Sequence, residues 1–338
     1  MSSAQQLADP REESAFAALL ERHRGELRVH CYRMLGSFEE SEDLVQETFL
    51  RAWRKRASFG PGGRSSFRAW LYRIATNACL DVLRTRPRRV LPPQVVAAAG
   101  DPAAPPSPPA DLPWLQPYPD RLLEPIAPAE DEPGAVVVAR ETIELAFIAA
   151  IQHLPPRQRA VLMLRGVLGW SAKDTASLLE MSVGAVNSAL QRARATLRDR
   201  LGERRTEWAR SSEPSEEERE LLRRYVDAHE RADADALAEL LREDARLTMP
   251  PHPTWYAGRE AIVIAARQGF DPEFGHLRTL VAAANRQPAA AHYLRRPGES
   301  EYRPLALDVL RIEGGRVAEI TSFVSPGLFP GFGLPPTL

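Results

Sequence analysis

The sequence predicts a multidomain protein in which two all-α domains precede an α+β domain. Apolar residues recur at helical spacing in residues 10–90 and 136–204. Strand-like runs begin only at Ala245, within a third unit at 215–325. Between the helical blocks, residues 87–133 hold 14 prolines, which exclude a helix or a central strand and indicate a linker over 91–135. Residues 326–338 lack a regular period and predict an extended tail.

Charge alternates along the chain, although the net charge is −1. Residues 1–90 carry +5, 91–139 carry −6, 140–210 carry +5 and 211–338 carry −5. Basic blocks are typical of surfaces that bind phosphate backbones, so both helical domains are candidates for contact with nucleic acid. No apolar run reaches the length of a membrane span and no leader opens the chain, so we expect a cytoplasmic protein without a membrane contact.

The first basic block contains three predicted helices. One covers residues 14–35, and a second follows in EDLVQETFLRAW, with Ser41 as a candidate cap. The third, FRAWLYRIATNACLDVLR, interleaves arginines with aromatic residues such as Phe67 and Trp70. These aromatics either belong to the core or stack unpaired bases at ~1–3 kcal/mol each, and the spacing leaves both open.

The second basic block contains the two-helix unit WSAKDTASLLEMSVGAVNSALQRARATL. Ala172, Ala176 and Leu179 mark one apolar face, LEMS supplies a break, and Ser182 is placed to cap the second helix. The second helix presents Arg, Gln, Asn and Ser, which contact base edges and phosphates. This pattern predicts a helix-turn-helix, although spacing alone also allows a helical hairpin with a solvated basic face.

The last unit is predicted to combine helices with an antiparallel sheet. Two helices break near Ala232, a third covers 255–270, and IEGGRVAEI predicts a hairpin with Gly314 and Gly315 at its turn. Cys31 and Cys79 fall inside apolar helical patterns, so we expect buried thiols. No zinc-ligand spacing is evident, and we therefore predict neither a metal nor a cofactor.

The motifs together resemble a known family. EDLVQETFLRAW, FRAWLYRIATNACLDVLR and LPPRQRAVLMLRGVLGWSAKDTASLLEMSVGAVNSALQRARATLRDRL, in this order, resemble the extracytoplasmic-function group of sigma-70-type RNA polymerase sigma factors. YAGREAI and GGRVAEITSF resemble the SnoaL-like and nuclear transport factor 2-like superfamily, an α+β cone. The whole chain resembles the sigma factors that carry such a domain at the C-terminus.

The resemblance implies partners and residues for each domain. Core RNA polymerase would be bound through two of its parts, the coiled coil of its largest catalytic subunit and the flap. The residues implied to contact the coiled coil are Asp43, Gln46 and Glu47. Promoter DNA would be bound at two elements. For the −10 element the implied residues are Phe59, Arg64, Phe67, Trp70, Arg73, Asn77 and Arg84. For the −35 element they are Ser182, Gly184, Ala185, Asn187, Ser188, Gln191 and Arg192.

The linker and the C-terminal domain are expected to regulate the activity of the two DNA-binding domains. In the family the linker runs near the active-site cleft of the polymerase. The alternative is an inert spacer, which Trp114, Leu115 and Tyr118 argue against because they need a partner surface. Cones of this fold have an open mouth, and the candidate ligand pocket for a small molecule comprises His252, Trp255, Tyr256, His292 and Asp308.

Three functions are weighed. The first is a promoter-specificity subunit that catalyses nothing itself and is tuned by its own C-terminal domain. The second is a SnoaL-like cyclase or isomerase fused to DNA-binding domains, with Asp308 as general base. The third is an ordinary transcription regulator that binds DNA without polymerase. The order and pairing of the motifs favour the first.

Overall fold

The computed structural model describes residues 10–56, 59, 66–123, 143–201 and 215–338. Arg64, predicted to contact the −10 element, lies outside the described residues, as do residues 136–142 at the start of the second predicted helical block. Within the described part of the chain, no helix is long and apolar enough to cross a membrane.

The described residues of the N-terminal domain form four helices. They are α1 (Pro10–Glu21), α2 (Arg24–Leu35), α3 (Phe38–Arg54) and α4 (Phe67–Thr85). The prediction of one helix over 14–35 is wrong, because the backbone N–H of His23 bonds Leu20 O and closes α1, while its ring contacts Glu26 in the first turn of α2. Ser37 caps α3 by accepting from the N–H of Glu40, so the cap lies four residues before the predicted Ser41.

The second helical domain contains α5 (Leu145–Ile151), α6 (Pro156–Val161), α7 (Ala172–Leu179) and α8 (Val183–Leu201). A π-helical segment, Leu162–Val167, continues α6. Glu180 adopts a left-handed conformation and ends α7, and Ser182 Oγ accepts from the N–H of Ala185 at 3.1 Å. The predicted helix-turn-helix, its break and its cap are confirmed.

The C-terminal domain places three helices against one face of a six-stranded sheet. The helices are α9 (Glu216–Glu230), α10 (Ala234–Leu240) and α11 (Arg259–Gly269). The strand order is β2-β1-β6-β5-β4-β3, and only the β1–β6 pairing is parallel. The strands are β1 (Leu241–Thr248), β2 (Trp255–Ala257), β3 (His276–Ala284), β4 (Gln287–Arg295), β5 (Arg303–Glu313) and β6 (Arg316–Phe323).

Two predicted boundaries in this domain are corrected, and one turn is confirmed. The first strand begins at Leu241, four residues before Ala245, because its start pairs with Val317 of β6. Trp255–Ala257 forms a strand against β1 rather than the beginning of the third helix. Gly314 and Gly315, both at positive φ, form the turn of the predicted β5–β6 hairpin.

Two apolar cores lie on opposite faces of the sheet. The helices α9–α11 cover one face, which contributes Ala290, Leu310 and Ile320. The other face contributes Tyr293 and Leu307 to a core that also includes residues of both helical domains and of the linker. Successive strand residues alternate between the faces, so the same sheet serves both cores.

The tail and the linker belong to the second of these cores. The prediction of an extended tail is wrong over Pro326–Phe332, which forms a 3₁₀ helix because Leu328 and Phe329 are buried in this core. Gly331 lies against Phe38 of α3. In the linker Trp114, Leu115 and Tyr118 are buried. The surface that these three residues were predicted to need is therefore supplied by the chain itself.

Candidate functional site

The exposed face of α8 carries the residues predicted to read the −35 element. One face of this helix packs inward through Val186, Ala189, Leu190 and Ala193. The positions on the opposite face therefore point outward. Ala185 is half-buried. The other six predicted readers are all exposed and share one surface that begins at the capped end of the helix: Ser182, Gly184, Asn187, Ser188, Gln191 and Arg192.

An aromatic cluster lies where α4 begins. The ring centroids of Phe59 and Phe67 are 5.1 Å apart, those of Phe59 and Trp70 are 5.3 Å apart, and Phe16 stands edge-on to both Phe67 and Trp53 at 5.7 Å. Phe59, Phe67 and Trp70 are each half-buried. These rings therefore contribute to the core in part, and stacking of unpaired bases on them stays a prediction.

The solvent side of α4 carries polar residues in a row. Arg73, Asn77 and Arg84 are exposed at helical spacing. Arg84 also forms an ion pair with Asp81 at 3.1 Å. By contrast, the neighbouring Arg68 forms an ion pair at 2.7 Å with Glu26. Burial, together with the negative charge of Glu26, raises the pKa of Tyr72. Three of the described residues predicted to contact the −10 element, Arg73, Asn77 and Arg84, therefore lie on the same helix as Phe67 and Trp70 of the aromatic cluster.

The face of α3 predicted to contact the polymerase is open to solvent. Asp43 and Gln46 are exposed, and Glu47 is half-buried and paired with Arg51 at 2.8 Å. Leu50, one turn further on, exposes 52% of its surface. A mixed acidic and apolar helical stripe of this kind suits a protein partner better than DNA.

The tip of the β3–β4 hairpin joins all parts of the chain. Asn285 and Arg286 both adopt positive φ at the turn. The amide Nδ2 of Asn285 donates to Tyr32 Oη at 2.8 Å and to Ile143 O at 2.6 Å, while its Oδ1 accepts from the N–H of Tyr118 at 2.7 Å. One fully buried side chain thus contacts α2, the linker and the start of the second helical domain.

Neighbouring residues of the tip strengthen this junction. Gln287 Oε1 accepts from the N–H of Leu145, the first residue of α5, at 3.0 Å. The carboxylate of Asp120 accepts from the N–H of Arg286 at 2.9 Å. Burial raises the pKa of Asp120 to about 6, against the lowering effect of the Arg286 N–H. We call Asn285, Arg286 and Gln287, with the groups they contact, the hairpin junction.

The two helical domains also touch directly. Arg159 on α6 is almost completely buried and donates to Met34 O at the end of α2, and to Gln152 Oε1 at 2.7 Å. Burial lowers its pKa to about 10, so it stays charged at neutral pH. The ring of Trp170 lies 6.3 Å from that of Tyr72. The second helical domain is therefore packed on the first.

Comparison with known proteins identifies these domains. Residues 19–89 match Sigma-70 region 2, residues 144–197 match Sigma-70 region 4, and residues 222–320 match a SnoaL-like domain. The chain is 43% identical to the ECF RNA polymerase sigma factor SigG of Mycobacterium tuberculosis, over all of this chain and 88% of that one. This chain belongs to the extracytoplasmic-function sigma factors. It directs core RNA polymerase to specific promoters and initiates transcription.

Other relatives also support the assignment of this chain to the sigma factors. The sigma factor SigE of Mycolicibacterium smegmatis is 31% identical over 57% of this chain and 64% of its own length. The crystal structure of the sigma factor SigJ of M. tuberculosis superposes with a TM-score of 0.58 at 20% identity, over 94% of this chain and 99% of that one, which shows a shared fold. The sequence relatives indicate a transcription regulator.

The five residues of the candidate ligand pocket do not converge in this sigma factor. Trp255 Nε1 donates to Val96 O at 3.0 Å, and His252 contacts Ser107 O at 2.7 Å, so both hold the linker. Tyr256 is buried in the core beneath α11. The structure brings together only His292 and Asp308, which lie 3.0 Å apart.

Sequence reasoning missed Asn285 altogether. Its signal was an Asn between two strand-like runs, at a position where a two-residue hairpin requires positive φ, which Asn tolerates. The run LRTLVAAANRQPAAAHYLR is one such hairpin, and recognition of its turn would have drawn attention to Asn285. Nothing in the local sequence predicts the partners of this side chain, since they lie at residues 32, 118 and 143.

Proposed function

We propose that the C-terminal domain restrains this sigma factor in a closed arrangement, which must open before the two DNA-reading surfaces engage one promoter. The hairpin junction carries this proposal, because Asn285 bonds the first helical domain, the linker and the second helical domain at once. A fully buried amide with three partners is costly to leave unpaired, so its contacts favour the closed arrangement.

Promoter geometry supports the need for opening. Boxes centred near −10 and −35 are about 25 base pairs apart, which is roughly 85 Å of B-DNA at 3.4 Å per pair. In the closed arrangement α6 contacts α2 through Arg159, and Trp170 lies beside Tyr72. Helical domains in direct contact do not reach across such a distance, so we infer that polymerase binding separates them.

We further propose distinct roles for the exposed surfaces. Asp43, Gln46 and Glu47 would bind the coiled coil of the largest polymerase subunit, and the second helical domain would contact the flap. The α4 surface would hold the melted −10 strand, with bases stacked against Phe59, Phe67 and Trp70. The exposed residues of α8 would read the −35 element in the major groove. These surfaces are at least partly open to solvent in the closed arrangement, so we infer that separation of the domains is the controlled step.

Substitution of Asn285 tests the restraint. Asn285→Asp keeps the acceptor and the tolerance of positive φ but removes both donated bonds, and Asn285→Gly removes the whole side chain without straining the turn. A compact chain of this length has a radius of gyration of about 20 Å. We expect small-angle scattering to give a larger radius for both variants than for the wild type, and a promoter reporter to give higher transcription.

The β5–β6 hairpin offers a matched control. Gly314 lies at an equivalent positive-φ turn and is exposed, and no described atom lies within 4 Å of the position that a Cβ would take there. Gly314→Asn places the same residue type in the same kind of turn, away from the helical domains. It should leave both the radius and the transcription unchanged. If the Asn285 variants scatter and transcribe like the wild type, the hairpin junction does not restrain the sigma factor.

A further inference from the structure

A cluster of metal-binding side chain types lies between α9 and the sheet. His229 belongs to α9, His292 to β4 and Asp308 to β5. Each offers one ligand atom, and these atoms all lie within 4.8 Å of one another. His292 and Asp308 are buried, and His229 is half-buried. Three different elements thus bring two imidazoles and one carboxylate close together.

Neighbouring groups orient both imidazoles. His229 Nδ1 lies 2.9 Å from the carbonyl oxygen of Tyr225 and donates to it, which leaves Nε2 as the nitrogen with a lone pair. His292 Nδ1 lies 2.9 Å from Thr279 Oγ1, and its Nε2 points at Asp308 Oδ2 from 3.0 Å. Metal-bound histidines are usually held in this way, with the second ring nitrogen bonded to a carbonyl or hydroxyl group.

One oxygen of the carboxylate is buried without a partner. Asp308 Oδ2 accepts from Tyr225 Oη at 2.6 Å, but Asp308 Oδ1 is buried and has no hydrogen-bond partner among the described residues. A buried carboxylate oxygen without a partner is costly, and a bound cation would satisfy it.

We propose that His229, His292 and Asp308 bind a divalent transition-metal ion of the Zn²⁺ type. Imidazole nitrogen and carboxylate oxygen are ligands that such ions accept, at bond lengths of about 2.1 Å. In a tetrahedral site these bonds place ligand atoms about 3.4 Å apart, so a pair at the 4.8 Å limit needs to close by about 1.4 Å. Rotation of the half-buried His229 ring supplies this movement, and the ion replaces the His292–Asp308 hydrogen bond.

Exposure favours an ion over an organic substrate at this site. Only 4% of His292 and 4% of Asp308 is exposed. The ring of His229 stacks at 4.7 Å on that of His292, and Phe270 stands edge-on to His229 at 5.3 Å, so one face of each imidazole is covered by the other. An ion requires only the space between the ligand atoms. This inference is independent of the restraint by the hairpin junction.

Metal titration of the full-length chain tests the site. After treatment with a chelator and its removal, the protein is titrated with Zn²⁺ by calorimetry and with Co²⁺ by visible absorption. We expect one equivalent of each ion, a tetrahedral Co²⁺ spectrum and an increase in the unfolding temperature. Removal of groups that merely support metal ligands costs about 10–100-fold in affinity, so loss of a ligand should cost at least that much.

Three variants and one control locate the ion. His292→Ala and Asp308→Asn remove buried ligands, and His229→Gln removes the half-buried one with the smallest risk to folding, which circular dichroism checks. His276→Ala alters an exposed histidine of the same domain and should bind like the wild type. The proposal fails if the wild type takes up no ion, if folded His229→Gln keeps the Co²⁺ spectrum, or if His276→Ala loses it.

Discussion

Asn187 on α8 and Asn285 on the β3–β4 hairpin are the same residue type in opposite environments. Asn187 is exposed on a helix whose apolar residues face inward, and its neighbours Ser188 and Gln191 share that surface. Asn285 has no exposed surface, and its amide bonds three separate parts of the chain. The first side chain is available to a partner molecule, whereas the second has its hydrogen bonds satisfied within the protein. Exposure, rather than residue type, decides which of the two side chains is available to a partner molecule.

The largest effect is expected at the buried contact between the helical domains. Arg159→Ala deprives several buried carbonyl groups of their partner at ~1–3 kcal/mol each and leaves a cavity, so unfolding should become easier by about 3–5 kcal/mol. Arg157→Ala, two residues earlier and exposed, should change the free energy of unfolding little. Chemical denaturation measures both. Equal stability of the two variants would contradict the structural role of Arg159.

The exposed surface of α8 should respond in binding rather than in stability. Arg192→Ala should weaken binding of the holoenzyme by about 1–3 kcal/mol at one position of the −35 element. Arg198→Ala, at the basic end of the same helix, should instead weaken binding to all sequences alike, as expected for a phosphate contact. Binding to a panel of −35 variants distinguishes them. A uniform loss with Arg192→Ala would make that residue a phosphate contact too.

The pH dependence of the closed arrangement should depend on Asp120. Burial raises its pKa from 3.8 to about 6, so ionisation is disfavoured in the closed arrangement. The stabilising effect of protonation is therefore present at low pH and lost as pH rises through about 6. From pH 7.5 to pH 5 the closed arrangement should gain about 1–2 kcal/mol. Small-angle scattering at each pH measures the radius of gyration, and Asp120→Asn should remove its dependence on pH between 5 and 7.5. If the dependence is the same in this variant and the wild type, Asp120 is not its cause.

The smallest effect is expected on α3. Asp43→Ala removes one exposed charge from the surface proposed to bind polymerase, and core affinity should fall about tenfold, or ~1.4 kcal/mol. Glu217→Ala removes an exposed charge of the same sign from α9 and serves as the control. Fluorescence anisotropy with purified core polymerase measures both affinities. If both variants bind alike, another surface carries the contact.

Local patterns predicted the helix-turn-helix, the Ser182 cap and the Gly314–Gly315 hairpin, because each depends on residues a few positions apart. Predictions that required distant residues to meet succeeded less well. His252 and Trp255 were grouped with His292 and Asp308, yet the first two hold the linker. The prediction that no metal site is present rested on ligand spacing, and spacing along the chain cannot reveal that His229, His292 and Asp308 lie close together.

The sequence by itself determined the order of the domains, the helix-turn-helix and the faces that its helices expose, since these follow from periodicity and motifs along a short stretch of chain. Only the tertiary structure decided that the linker is buried, that Asn285 joins the domains and that two histidines meet Asp308. Those contacts link residues 16 to 253 positions apart. They arise from how the sheet packs on the helical domains and on α9, which local interactions do not specify.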